Sequence, residues 1–166
     1  QKNMGPSGVT VVIIRKSLLE LTDPNLPTML RYGVHVAKGS MNNTPNTFGI
    51  YIIDRVCEWI ENNGGLPTME ERNRSQAESL YSAIDASNFY QGKADLSSRS
   101  WMNVTFTTGS DDLDTLFWKT AEKEGMSGLK GHRIVGGLRA SIYNAQTDRA
   151  IEALVSYMAA FEKTHG

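Results

Sequence analysis

The chain has 166 residues, 40% of them hydrophobic and 21% charged, with a formal net charge of −1. That balance belongs to a globular chain rather than a disordered one. It supplies no global field toward nucleic acid or an anionic membrane, so any anion site must be local.

The longest mainly apolar stretch, Val9 to Ile14, is too short to cross a bilayer. A single cysteine, Cys57, rules out an internal disulfide framework and fits a reducing compartment, so a cytoplasmic location is expected. No signal peptide is legible. The chain opens Gln1-Lys2-Asn3 directly ahead of a strand pattern, which reads as a fragment of a longer polypeptide.

Val9 to Arg15, VTVVIIR, is β-branched and apolar at both alternating positions, the pattern of a strand covered on both faces. Gly5, Pro6 and Gly8 mark a loop before it. Residues 16–47 are weakly periodic and polar, predicting a long connection of the kind that often carries function. From about Thr47 to Asn62 a helix is expected, with Ile52, Val56, Trp59 and Ile60 as its apolar stripe and Asn63-Gly64-Gly65 as its end. Cys57 on this helix is expected to be buried by packing.

A second helix is predicted from near Pro67 through Ala77, Leu80, Tyr81 and Ile84. A domain change is expected between the first strand and this helix. Trp101 to Thr107 carries enough β-formers for a strand. Ser110-Asp111-Asp112 then opens a helix, with acids at its start and Lys119 and Lys123 near its end, as the helix dipole favours. Its inward residues are predicted to be Leu113, Leu116, Phe117 and Ala121.

Met126 to Leu129 is expected as a short strand, and Leu138 to Tyr143 as a better one after a Gly136-Gly137 turn. The last helix spans about Asp148 to Lys163, with Ile151, Leu154, Val155, Met158 and Phe161 at helical spacing. After the long loop, this order describes an α+β module with helices against a small sheet.

Three polar clusters carry potential chemistry. In Gln1-Lys2-Asn3-Met4-Gly5-Pro6-Ser7-Gly8, a lysine precedes a Gly/Pro turn and an apolar segment, giving an anchored backbone and a mobile amine. A lysine that condenses with a carbonyl needs that combination and a neutral amine. A solvated surface charge is the plain alternative. Asn42-Asn43-Thr44-Pro45 offers amide, hydroxyl and backbone donors to a phosphate, or else a turn and helix cap.

In Gly131-His132-Arg133-Ile134-Val135-Gly136-Gly137-Leu138-Arg139, His132 and Arg133 add positive charge, and Arg139 enters an otherwise apolar strand. A guanidinium there needs an anionic partner, either a bidentate ligand carboxylate or a protein carboxylate. For His132 a hydrogen-bonded structural role stays open. His35 and His165 converge with no cysteine or carboxylate at ligand spacing, so no metal site is expected.

Taken together, QKNMGPSG, NNTPNTF and LKGHRIVGGLRASIYNA resemble, in order, the lysine segment, phosphate loop and C-terminal substrate segment of phosphoserine aminotransferases. EWIENNGG, YSAIDASNFY and MNV are similar in order and spacing, so the resemblance covers essentially the whole chain. It implies an α/β protein, the C-terminal part of a pyridoxal-phosphate-dependent aminotransferase fold. The last strand of the large domain would be followed by a small α+β domain. Residues 1–46 would end the large domain and include the phosphate loop. Residues 47–166 would form a connecting helix and the small domain.

The resemblance also implies a homodimer and assigns roles. Lys2 matches the lysine that condenses with pyridoxal 5′-phosphate and shuttles protons. Gln1 matches a cofactor-phosphate contact, and Asn43 and Thr44 match the loop that reaches the neighbouring subunit's cofactor phosphate. Arg139 matches the clamp on the substrate α-carboxylate, and His132 and Arg133 match recognition of the distal phosphate or carboxylate across the dimer interface.

The implied reaction moves an amino group between glutamate and 3-phosphohydroxypyruvate, giving 2-oxoglutarate and phosphoserine. No nucleic-acid or membrane partner is implied. One departure stands out: members often carry Tyr-Asn-Thr-Pro-Pro, whereas Asn42 and Asn46 here flank Asn43-Thr44-Pro45. The phosphate contacts are kept, but the stiffness of a second proline is not. The family's aspartate on the pyridine nitrogen, its aromatic ring over the cofactor and its N-terminal arginine would lie upstream of Gln1.

Overall fold

The computed structural model describes residues 2–166; Gln1 lies outside the described residues. The chain divides into two compact units, residues 1–59 and 60–166.

The first unit contains two short helices, α1 (Lys16–Leu19) and α2 (Tyr32–Ala37), and most of a long one, α3 (Thr47–Asn62), which continues to the second unit. The expected strand at Val9 to Arg15 is not formed, and Ile13 is 96% exposed. A strand needs a hydrogen-bonded neighbour, and the first unit contains none among its described residues. α3 has the predicted bounds, but its stripe is only partly covered and Gly49 is its one buried residue. Cys57 is exposed, which corrects the expectation of burial. It lies about 100° round the helix from Val56 and so off the apolar stripe.

The second unit holds the core. α4 (Gly65–Asp85) starts just after Gly64, and both glycines adopt left-handed φ values of +94° and +73°. Pro67 falls in the first turn, where a missing N–H costs nothing. β1 (Gln91–Gly92), β2 (Asn103–Thr107), β3 (Lys130–His132) and β4 (Gly136–Ser141) form an antiparallel sheet in the order β1-β2-β4-β3. The strand expected at Met126 to Leu129 begins instead at Lys130, because β3 is set by its hairpin partner β4 across Gly136.

α5 (Asp111–Lys123) is capped by Ser110, whose hydroxyl accepts from the Leu113 amide. α6 (Asp148–His165) is capped by Thr147 in the same way, through the Ala150 amide. The predicted helix faces are buried at Ala77, Leu80, Tyr81 and Ile84, and at Ile151, Leu154, Met158 and Phe161. Leu116 is the exception. It stays exposed, while Asp114 is buried and accepts hydrogen bonds from Thr107 Oγ1, Thr108 N and Thr108 Oγ1 at 2.6, 2.7 and 2.9 Å.

Alternation divides the sheet. Val104, Phe106, Leu138 and Ala140 face the helices and are buried. Asn103, Thr105 and Arg139 therefore lie on the opposite, polar face. At the centre of the core Phe117 is 0% exposed and packs edge-to-face against Phe106 and Tyr157, with centroids 5.9 and 5.0 Å apart. Phe117→Ala is expected to cost about 3–5 kcal/mol in urea unfolding; a loss below about 1 kcal/mol would show that this ring cluster is not the core's centre.

The approach to β2 is pinned by Arg99. Its guanidinium donates twice to Asp85, both at 2.6 Å, and lies 4.4 Å from the Tyr81 ring centroid. The hydrogen bond from Arg99 holds the Asp85 carboxyl below its ordinary value. Its contribution to stability is present above the ordinary carboxylate range and is lost as pH falls through the lowered value.

Candidate active site

In the first unit, Lys2 is exposed and has φ +67°, one of two described non-glycine residues in the left-handed region. That conformation is rare for a residue with a Cβ and is found where surrounding structure holds it for function. Asn43 and Thr44 are exposed in the loop before α3, and Asn43 Nδ2 donates to the Thr44 carbonyl at 3.1 Å. The Thr44 hydroxyl has no partner among the described residues, leaving it open to a ligand oxygen. Gln1, the expected cofactor-phosphate contact, lies outside the described residues.

The lysine turn and the Asn-Thr-Pro loop are joined by a residue the sequence reading noted only as a departure. Asn46 Nδ2 donates to the Gly8 carbonyl at 3.0 Å, and Asn46 Oδ1 accepts from the Gly49 amide at 2.9 Å. Asparagine at an N-cap before a helix was the legible signal; its second bond, across 38 residues of sequence, was not.

In the second unit the β3–β4 hairpin carries His132, Arg133 and Arg139. A Cβ on Gly131 would overlap the Gly136 and Gly137 carbonyl oxygens, so only glycine permits the close strand approach here. The register pairs Lys130 with Leu138, His132 with Gly136, and Thr105 with Arg139. Paired residues share a face. His132 therefore falls on the helix side with Leu138, and Arg139 falls on the polar side. His132 and Arg133 line a pocket of about 210 Å³ with Asp111, Thr115 and Trp118 of α5, and Arg139 does not. One hairpin thus presents cations in two directions.

Arg139 is half-buried, and its Nε is buried without a hydrogen-bond partner. No protein carboxylate pairs with it, so the alternative of a structural ion pair finds no support among the described residues. A desolvated guanidinium N–H left unmatched is costly, and a carboxylate supplies the geometry that satisfies it. Beside it on the polar face, Asn103 Oδ1 accepts from Ser141 Oγ and Tyr143 Oη, both at 3.2 Å.

Lys93 contributes a further tie, reaching across the sheet to donate to the Val135 carbonyl at 2.9 Å. A Cβ on Gly137 would stand 2.7 Å from Lys93 Nζ. Neither Asn103 nor Lys93 was legible in advance, because their roles depend on strand register.

In the first unit the exposed Lys2 side chain and the Thr44 hydroxyl suit a phosphate-bearing aldehyde. In the second, the Arg139 guanidinium, whose buried Nε has no partner among the described residues, suits a carboxylate. Among the described residues no group of three His, Cys, Asp or Glu could hold a metal, and no helix is long and apolar enough to cross a membrane.

The class-V aminotransferase family model matches residues 1–154. The chain belongs to the class-V aminotransferases. It is 52% identical over its whole length to the phosphoserine aminotransferase of Niallia circulans, covering 46% of that relative. It is 54% identical to that of Desulfatibacillum aliphaticivorans, with the same coverage.

Among solved structures, it matches the phosphoserine aminotransferase from Bacillus circulans subsp. alkalophilus at TM-score 0.95 and 51% identity, over 99% of this chain and 46% of that one. The pyridoxal-phosphate-bound enzyme from Trichomonas vaginalis matches at TM-score 0.82 and 37% identity, over 88% of this chain and 42% of that one. The chain therefore spans about half the length of the relatives it matches, and its fold is that of their C-terminal part.

Proposed function

We propose that this chain is the C-terminal part of a pyridoxal-phosphate-dependent phosphoserine aminotransferase, acting between glutamate and 3-phosphohydroxypyruvate as a cytoplasmic homodimer. The observation that carries this reading is the agreement, 52% identical from end to end, with phosphoserine aminotransferases. The orphaned Arg139 Nε supports it. Residues 1–46 would complete the large domain and 47–166 would form the connecting helix and small domain.

Bound pyridoxal phosphate would supply the carbonyl carbon and an electron-accepting ring. Lys2 Nζ would hold the cofactor and would take the α-proton of the amino acid as general base. Thr44 and Asn43 would donate to the cofactor phosphate of the neighbouring subunit. Arg139 clamps the α-carboxylate in both half-reactions, so that the Cα–H bond is presented in one orientation.

His132 and Arg133 attract the distal group. Charge attraction accepts either a carboxylate or a phosphate, which a transaminase using glutamate and a phosphorylated keto acid requires. The opposed faces of the hairpin suit this division, with Arg139 serving one site and His132–Arg133 the site across the dimer interface.

Arg133→Ala in the full-length protein is expected to raise the KM for 3-phosphohydroxypyruvate about 10- to 100-fold, as loss of a charge-assisted hydrogen bond would. A neutral analogue should lose far less. Equal losses for both would assign the pair a structural role. Assays against glyoxylate and cysteine separate this reading from the other enzymes of the fold, an alanine–glyoxylate aminotransferase or a desulfurase. Activity confined to those substrates would overturn it. The 166-residue chain alone, lacking the upstream cofactor contacts, is expected to be inactive and to behave as a dimerisation module.

A further inference from the structure

The geometry points to Asn46 as a positioning residue for cofactor binding: one side chain straps the turn that carries this subunit's cofactor lysine to the loop that reaches the neighbouring subunit's cofactor phosphate. This inference rests on the assignment of Lys2 and Asn43-Thr44 just proposed. Asn46 uses both ends of its amide. Oδ1 accepts from the Gly49 amide, capping α3, and Nδ2 donates to the Gly8 carbonyl. The cap fixes where α3 begins, and hence where Thr44 stands three residues earlier. The other bond fixes the end of the turn that starts at Lys2.

Gly49 makes this approach possible. It is the buried residue of α3, and an added Cβ there would sit 2.7 Å from Asn46 Nδ2 and 3.0 Å from the Val9 Cβ. On the other side of the turn, a Cβ on Gly5 would meet the Ile53 side chain at 3.0 Å. The lysine turn is thus laid along the first two turns of α3, with Asn46 as its polar tie. A proline at position 46 would stiffen the loop but could make neither bond. Asparagine replaces local stiffness with a link between the two cofactor-binding segments.

Asn46→Ser separates the two bonds. Serine caps a helix about as well as asparagine, but its hydroxyl is too short to reach the Gly8 carbonyl. It also adds no charge near a phosphate. In the full-length protein, Asn46→Ser is expected to raise the Kd for pyridoxal phosphate about 5- to 10-fold in absorbance titration, with the Tm of the cofactor-free protein unchanged. Gly49→Ala is expected to act in the same direction. It favours the helix intrinsically but fills the space that Asn46 and Val9 occupy.

If wild type forms a reducible cofactor adduct at Lys2 and Asn46→Ser binds cofactor equally well, the strap is refuted while the functional reading stands. If wild type forms no adduct at Lys2, the functional reading fails and the strap fails with it. A Kd rise accompanied by a fall in the Tm of the cofactor-free protein for Asn46→Ser would reduce Asn46 to a helix cap and overturn the positioning role.

Discussion

Replacing Lys2 with alanine in the full-length protein is expected to lower the rate of the glutamate half-reaction by at least about 10³-fold, the scale on which a positioned general base contributes. It should also remove the covalent attachment of the cofactor. Two features converge on this residue. Its amine is exposed and free to swing, while its backbone sits at φ +67° ahead of a turn tied to α3 through Gly5 and Gly8. A mobile group on a held backbone can serve first as the attachment point and then as the base. Lys2→Arg should not rescue, because a guanidinium stays protonated and can do neither. Retention of more than a tenth of wild-type rate by Lys2→Ala would remove Lys2 from the chemistry.

Arg139→Leu is expected to raise the KM for glutamate and for phosphoserine together, each by about 10²-fold, the loss of a bidentate charge-assisted pair. Cofactor attachment should be unaffected. The substitution places an apolar residue on the polar face of the sheet, but it removes a buried donor that has no partner among the described residues. Stability should therefore change little, as where a binding site keeps an unsatisfied group for its ligand. Arg139→Lys should recover only part of the affinity, since an ammonium cannot match a carboxylate at two points. An unchanged glutamate KM in Arg139→Leu would exclude the clamp.

Much of the second unit was legible because local and global signals agree there. Ser110 and Thr147 are capping residues followed by amphipathic helices, and both cap the predicted helices. Leu138 to Tyr143 was expected as a strand, and the structure buries Leu138, Ala140 and Ile142 on one face of this segment and leaves Arg139 on the other. The first unit was read less well. VTVVIIR has the composition of a covered strand, yet composition does not supply the neighbouring strand that pairing requires. Cys57 was misplaced because cysteine's general preference for burial says nothing about which side of α3 it occupies.

At the candidate site, residue identities were legible and geometry was not. Arg139 stood out as a charge in an apolar strand, whereas the separation of His132 and Arg139 onto opposite faces follows only from the register of β3 on β4. Lys93 and Asn103 gave no local signal, since each acts on a strand or turn distant in sequence. Asn46 was noticed for differing from a pattern, and only its two bonds explain what the difference does.

Treatment of the full-length wild-type protein with pyridoxal phosphate and borohydride, followed by mass-spectrometric mapping of the modified peptide, tests the role of Lys2 most directly. The expected result is a single reduced phosphopyridoxyl group on the Lys2 ε-nitrogen, suppressed when glutamate is present during reduction. A label on another lysine, or none at all, would contradict it.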